Sequence, residues 1–443
     1  MSTVNKSQDW WMAYDDETYI GGGTGGAAYA KTAPVIGDLN SIPFPSGEQV
    51  LPWAEYDHVE VRVPGRSAKG AKRFTKGKSF MESPWKHYMQ NATFLKKVLK
   101  NSTREGLLPY ANASDGLGTM VFHWEDGDNF YNIFGVWARK YQLAMKVDDY
   151  VFETQTWHYT DVVVVGAALT PAKDFDESSA PLTWADFHMG GYQEVHCSTN
   201  GITGLVAATA YYFFVNGIQY KLTGVGSGGT DTFNALISAM NLAYEVKDPA
   251  ATPTLYTTQH PKNCVWSHNG AAQGSGGYLR CTSATSIVKI SAGTAPTGSA
   301  SDLFATLTDY QHIHTAVTDT LDLLEFNTGL EIGITPKDGK VAGSLMRKFP
   351  WIAKITPSLD IKFRTEQTAL LDDGTSSTPI YNDIAVWIDF NHDGIMDANE
   401  ILVFHNMHIP KEGTNINTMP EGANIKEFSV KFEVGENSNY LLI

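Results

Sequence analysis

The chain has 443 residues, enough for two or three domains, and 42% of them are hydrophobic and 12% aromatic. That composition belongs to a packed globular protein and excludes a disordered one, and no run of about eighteen apolar residues marks a membrane span. The net charge is −15, but residues 58–100 hold eleven Lys or Arg against Glu60 and Glu82, a local +9 that leaves −24 elsewhere. Such asymmetry points to self-association or to contact with a polyanion.

The N-terminal "MSTVNKSQDWWMAYDDETYIGGGTGG" has no basic segment followed by an apolar one, so no secretory signal is expected. Its "GGGTGG" (21–26) lacks the Lys-Ser/Thr of a phosphate loop and reads as a turn. The Trp-rich "DWWMAY" and "WKHYMQ" could line a sugar site, but they read better as core or subunit-interface anchors. Between them, residues 44–80 form a long, basic connection. "NATFLKKVLKNS" (91–102) predicts a helix with Phe94, Leu95, Val98 and Leu99 on one face.

From there the pattern is mostly strands, with turn signals at intervals of about eight to twelve residues. Residues 199–309 form a separable β-module. In it a hairpin turns at "VNG", a helix is predicted over 231–246 with Phe233, Leu236, Ile237 and Met240 on one face, and alternating strands follow. A short third helix is predicted over 299–310. Cys197, Cys264 and Cys281 make a sparse, odd set without a CxxC. Reduced thiols and intracellular folding are expected, although Cys264 and Cys281 could pair if they lay on neighbouring strands.

Enzyme signals are weak. His312 and His314 in "YQHIHTA" would share one strand face, yet no third histidine or carboxylate lies at ligand spacing along the sequence. His188 and His196 are similar orphans, and Asp15, Asp16, Asp372 and Asp373 sit in turn contexts. No GxSxG, HExxH or kinase-type set occurs, so no enzyme is expected.

The most legible stretch is "DFNHDGIMDANE" (389–400). Asp389, Asn391 and Asp393 offer oxygens at positions 1, 3 and 5 of a twelve-residue calcium loop. Gly394 allows the sharp turn, Ile395 offers its carbonyl, and Asp397 and Glu400 fill positions 9 and 12. The flanks "NDIAVWI" and "ILVFHNMHI" have strand character, so there is no helix pair to open, as a sensor would need. The stretch resembles the calcium loops of GEVED-type β-modules, which implies a structural clip. Residues 365–443 hold thirteen Asp or Glu and three Lys, a repulsion that bound calcium would relieve.

Two further resemblances concern the whole chain. The pattern of strand, "VNG" turn, strand, helix and two strands in 199–309 resembles a small β-module of hook- and tail-associated proteins. Outside it, "RFTKGKSFMESPWKHYMQNATFLKKVLKNS", "NIFGVWARKYQLAMKVDDYVFETQTWHYTDVVVV", "PLTWADFHM" and "WIAKITPSLDIKFRTEQ" resemble the strand order of phage tail tube proteins. Residues 44–80 resemble that family's long hairpin arm.

The resemblance implies a mainly β chain: a tail-tube-like antiparallel sandwich or barrel with a flanking helix, in parts 1–198 and 310–443, plus the inserted module 199–309. It implies a homo-oligomer of stacked, possibly hexameric rings in a viral tail, assembled in the host cytoplasm, meeting other tail proteins. DNA would pass through its lumen without specific binding. An acidic lumen suits this, because lysines and arginines there would hold DNA by counterion release. The other readings are a capsid or decoration protein, and a calcium-stabilised adhesin or carbohydrate-binding protein.

Overall fold

The computed structural model describes residues 10–17, 40–41, 54–61, 72–80, 83–92, 94–95, 119–126, 130–158, 161–165, 180–197, 207–224, 230–248, 254–259, 264–268, 278–283, 286–291, 301–302, 310–316, 322–334, 352–365, 382–408, 414–418 and 426–442. These are mainly β, as the sequence predicts. The chain divides into two compact units, one of residues 1–100, 109–183 and 327–358, the other of 101–108, 184–326 and 359–443.

In the first unit the long strand Phe130–Lys146 organises the rest. Its first half pairs with Thr119–Asp126 and Asp161–Val165, and its second half with Phe152–His158. A register shift between Ala138 and Lys140 marks the change of partner. Such a bulge bends and twists a strand. Phe152–His158 pairs in turn with Ser83–Tyr88, and Trp10–Glu17 pairs with Thr119–Asp126. Side chains alternate across a strand. Tyr141, Leu143 and Met145 are therefore buried with Trp157, Trp85 and Phe94, whose rings lie 5.9–6.2 Å from that of Trp157.

Trp85 is thus core, which removes "WKHYMQ" as a sugar platform. The same alternation buries Glu153 and Gln155 beside His87. Gln155 Nε2 donates to Glu153 Oε2 at 2.7 Å and lies 3.0 Å from His87 Nε2. His87 Nδ1 lies 3.1 Å from the Tyr88 carbonyl. Burial pulls His87 down to about 4 and pushes Glu153 up to about 8, so both are neutral at pH 7.

Also in this unit, Ala54–Val61 and Lys72–Phe80 form an antiparallel hairpin from Ala54↔Phe80 to Val61↔Lys72, with a register shift after Asp57. Among the described residues these two strands pair only with each other.

The second unit contains three sheets' worth of ladders. One runs Phe187–Met189, Asn382–Ile388, Ile401–His408 and Lys426–Leu442, and the last strand also pairs with residues 359–365 and with Thr414–Thr418. A second runs Cys264–His268, Tyr278–Ser283, Gly191–Cys197 and Tyr310–Ala316. In it Cys197 lies opposite Tyr310, so the chain on either side of the module is paired. The third is built on Ala210–Val215 and Ile218–Thr223, with Tyr244–Asp248, Thr254–Gln259 and Ile290–Ser291. Val215 pairs with Ile218 across Asn216 and Gly217, both at positive φ (51° and 73°), the conformation a two-residue hairpin of this hand requires.

The helix Thr230–Asn241 is the one α-helix longer than a turn among the described residues. Leu236 and Met240 are buried against Phe213, Trp266 and Cys281, with Ile237 partly buried beside them. It is shorter than the predicted 231–246, because Asn241 ends it. Asn241 Oδ1 accepts from Trp266 N at 2.8 Å and its Nδ2 donates to Trp266 O at 3.0 Å, and Tyr244–Asp248 continues as a strand. The predicted helix 299–310 is corrected where it is described: Ser301–Asp302 is a short strand parallel to Ala210–Val215, and Tyr310 begins another. The helix predicted over 91–102 and the "GGGTGG" turn lie mostly or wholly outside the described residues.

Candidate metal centre

The loop 389–400 connects two paired strands. Asn382–Ile388 and Ile401–His408 run antiparallel up to Trp387↔Ile401, and Ile388 N donates to Glu400 O at 2.8 Å. The Ile, Val, Ala and Trp of "IAVWI" and "ILVF" are almost all fully buried, which holds both ends of the loop in the core. The strand flanks expected from the sequence are therefore present.

Each proposed ligand has a defined place. Asp389 and Glu400 are buried, at 6% and 4% exposure, while the tip between them is open and Ile395 is 63% exposed. Asp389 accepts from Gly394 N at 2.9 Å through one carboxylate oxygen and from Asp393 N at 3.3 Å through the other. Asp393 Oδ1 accepts from Ile395 N at 2.7 Å. Glu400 Oε2 accepts from Asp397 N at 2.9 Å and from Trp387 Nε1 at 3.0 Å. Gly394 stands at φ +71° with open space where a Cβ would be, so conformation, not crowding, requires glycine.

The decisive contact for a cation is at Asn391. Its Nδ2 donates to Asp393 Oδ2 at 3.1 Å and to Asp397 Oδ2 at 3.2 Å. Two carboxylates from positions 5 and 9 thus share one positively polarised group. A half-turn of the amide presents Oδ1 to the same spot. The donor set is all oxygen and hard, which fits calcium and not a thiolate- or imidazole-seeking metal. As they stand, however, no three His, Cys, Asp or Glu side chains among the described residues converge tightly enough to hold a metal. Asp389 and Glu400 serve the loop's own backbone.

Two groups from elsewhere in this unit brace the loop. Asp186, in the turn Trp184–Asp186, accepts from Asp389 N through its carbonyl at 2.9 Å, and its carboxylate lies 3.0 Å from His392 Nδ1. Lys289 Nζ donates to Asp397 O at 3.3 Å. Burial pulls Lys289 below its ordinary value, opposed by the charges of Glu400 and Asp397. Neither contact is visible from the spacing within 389–400.

The other sequence candidates separate. His188 stacks on Trp387 with ring centroids 4.6 Å apart. The register of Gly191–Cys197 and Tyr310–Ala316 sets His196 opposite His312 and Glu194 opposite His314, neighbours that sequence spacing did not show. Asp15 and Asp16 lie on the strand Trp10–Glu17, and Asp372 and Asp373 fall outside the described residues. No helix among the described residues is long and apolar enough to cross a membrane.

Sequence reasoning missed a buried charged cluster among the described residues of this unit. His405 lies between Asp383, 2.6 Å from Nδ1, and Glu245, 2.8 Å from Nε2. Burial alone would lower its pKa, but the two carboxylates outweigh this and raise it to about 10. No protein-family model matches the chain, and no curated protein matches it.

Proposed function

We propose that this chain is a structural virion subunit that assembles into stacked rings, forming a tail tube through which a viral genome passes. The observation that carries the reading is the hairpin Ala54–Val61/Lys72–Phe80, whose strands pair only with each other among the described residues. A tube subunit needs an arm that reaches the next ring, and this hairpin lies within the basic connection 44–80. Lys72, Arg73, Lys76 and Lys78 lie on its second strand, and Arg62, Arg66 and Lys69 lie between the two strands in sequence, in a chain that is otherwise strongly acidic. Charge complementarity of this kind sets orientation and register between rings more than affinity. Paired flanks at Cys197 and Tyr310 suit a module, 199–309, inserted between host strands.

Calcium belongs to the same reading as a clip, held by Asp389, Asn391, Asp393, the Ile395 carbonyl, Asp397 and Glu400. Its two positive charges would offset half of the four carboxylate charges between two strands and stiffen the hairpin they form. No catalytic step is assigned to the chain. The test is charge reversal of Lys72, Arg73, Lys76 and Lys78 to Glu, read by sedimentation velocity. Loss of stacked species with the subunit still folded supports the arm, and an unchanged distribution of assemblies removes it.

A further inference from the structure

Cys264–His268 and Tyr278–Ser283 pair antiparallel, with Cys264 opposite Ser283 and Trp266 opposite Cys281. Residues two apart on a strand share a face. All four therefore face the core, where Trp266, Cys281 and Ser283 are at most 2% exposed. The two cysteines lie diagonally across the ladder with their Sγ atoms 2.7 Å apart. A bonded pair sits at about 2.05 Å, so closure needs less than about 1 Å of movement.

We propose that Cys264 and Cys281 form a redox-reversible disulfide, made by exchange with a small-molecule disulfide of the oxidised-glutathione class. The two thiols are not equivalent. Cys264 is half-buried whereas Cys281 is buried, so Cys264 is the sulfur an oxidant reaches. Cys281 is buried, and burial together with the neighbouring Cys264 holds its thiol well above the ordinary range. The thiolate of Cys264 attacks the small disulfide, forms a mixed disulfide and releases one glutathione thiolate. The sulfur of Cys281 then displaces the second glutathione, which leaves as the thiol with the Cys281 proton. Two protein thiols are oxidised and one glutathione disulfide is reduced to two thiols.

The bond would act on an edge. Among the described residues Cys264–His268 is the end strand of its sheet, and the helix Thr230–Asn241 docks on it through Asn241 and Trp266. The segment the bond would close runs from Cys264 to Cys281 and includes the glycine-rich "NGAAQGSGG". Cross-linking its ends restricts the unfolded chain and holds the edge strand in register. The inference stands apart from the tube reading, because it concerns the module's own fold.

The test uses the full chain incubated with oxidised or reduced glutathione, then denatured for thiol titration, intact mass and peptide mapping. Of the three thiols, one should remain after oxidation, the mass should fall by two hydrogens, and the linked peptides should contain Cys264 and Cys281. Dithiothreitol should restore all three. The thermal midpoint of the oxidised form should rise by about 5–10 °C, and Cys264→Ser should abolish that shift. Three titratable thiols in oxidised glutathione, a lasting glutathione adduct on Cys264, or a link through Cys197 would each overturn the proposal. These thiol and mass readings need no variant.

Discussion

His405 and Asp383 meet at 2.6 Å in a place where the imidazole is 1% exposed. Glu245 takes the other ring nitrogen at 2.8 Å. The strands involved are Asn382–Ile388, Ile401–His408 and Tyr244–Asp248, so the contact joins the calcium-loop hairpin to the sheet of the module. A protonated imidazole donates both hydrogens, one to each carboxylate. Removing it leaves two carboxylates buried without their cation, which costs about 3–5 kcal/mol. His405→Ala should lower stability by that order, read by chemical unfolding of the second unit's signal.

The same triad sets an alkaline limit. The folded pKa of His405 is raised from 6.5 to about 10, so its contribution is fully present below about 6.5 and is lost as pH rises through 10. Thermal midpoints measured from pH 7 to pH 10.5 should fall in the wild type and fall less in His405→Ala, which has already lost the contribution.

Glu153 makes a related prediction in the first unit. Its folded pKa is raised to about 8, so the stability tied to its neutral form is present below about 4.5 and lost as pH rises through 8. Between pH 7 and pH 9 this amounts to about 1 kcal/mol. Glu153→Gln keeps the size of the side chain and should flatten that part of the profile. His87 works in the opposite sense: its pKa is lowered to about 4, so its stability is present above about 6.5 and is lost as pH falls through 4.

Asn216 is a turn residue with two tasks. It sits at φ 51°, and its side chain donates to Ile287 O at 2.9 Å and accepts from Lys289 N at 2.8 Å. Asn216→Ala strains the turn and leaves two backbone groups without partners, so a loss of about 2–3 kcal/mol is expected. Asn216→Gly should keep the turn and lose only the hydrogen-bond part. Equal losses in the two variants would show that the φ value contributes nothing.

Calcium should stabilise by mass action, about 2.7 kcal/mol when its free concentration is a hundred times the dissociation constant. Glu400→Gln should lose most of that gain. It should leave the calcium-free midpoint nearly unchanged, because glutamine still offers an oxygen to Trp387 Nε1 and Asp397 N. A full calcium gain in Glu400→Gln would remove Glu400 from the ligand set.

The parts of this structure that sequence made legible are local. The flanks of 389–400 are strands because Ile, Val and Trp run there without a helical stripe, and "VNG" turned as its Asn-Gly pair required. The helix over 230–241 was visible from Leu236 and Met240, but its end was not, since Asn241 is stopped by Trp266, a partner 25 residues away. The stretch 299–310 has a helical spacing, but at Ser301–Asp302, where it is described, pairing with Ala210–Val215 overrides it. His405 gave no signal, because Glu245 lies 160 residues before it. The two sulfurs of Cys264 and Cys281 were legible only as a choice, because a ladder register decides whether they meet.

The most direct measurement is electron microscopy of the purified full chain, in calcium and in chelator. Rings with a central bore, or tubes built from them, are the predicted result in calcium. Loss of those assemblies in chelator would put the 389–400 loop at a subunit contact, and their persistence would make it an internal clip. A strictly monomeric particle in both conditions would contradict the tube.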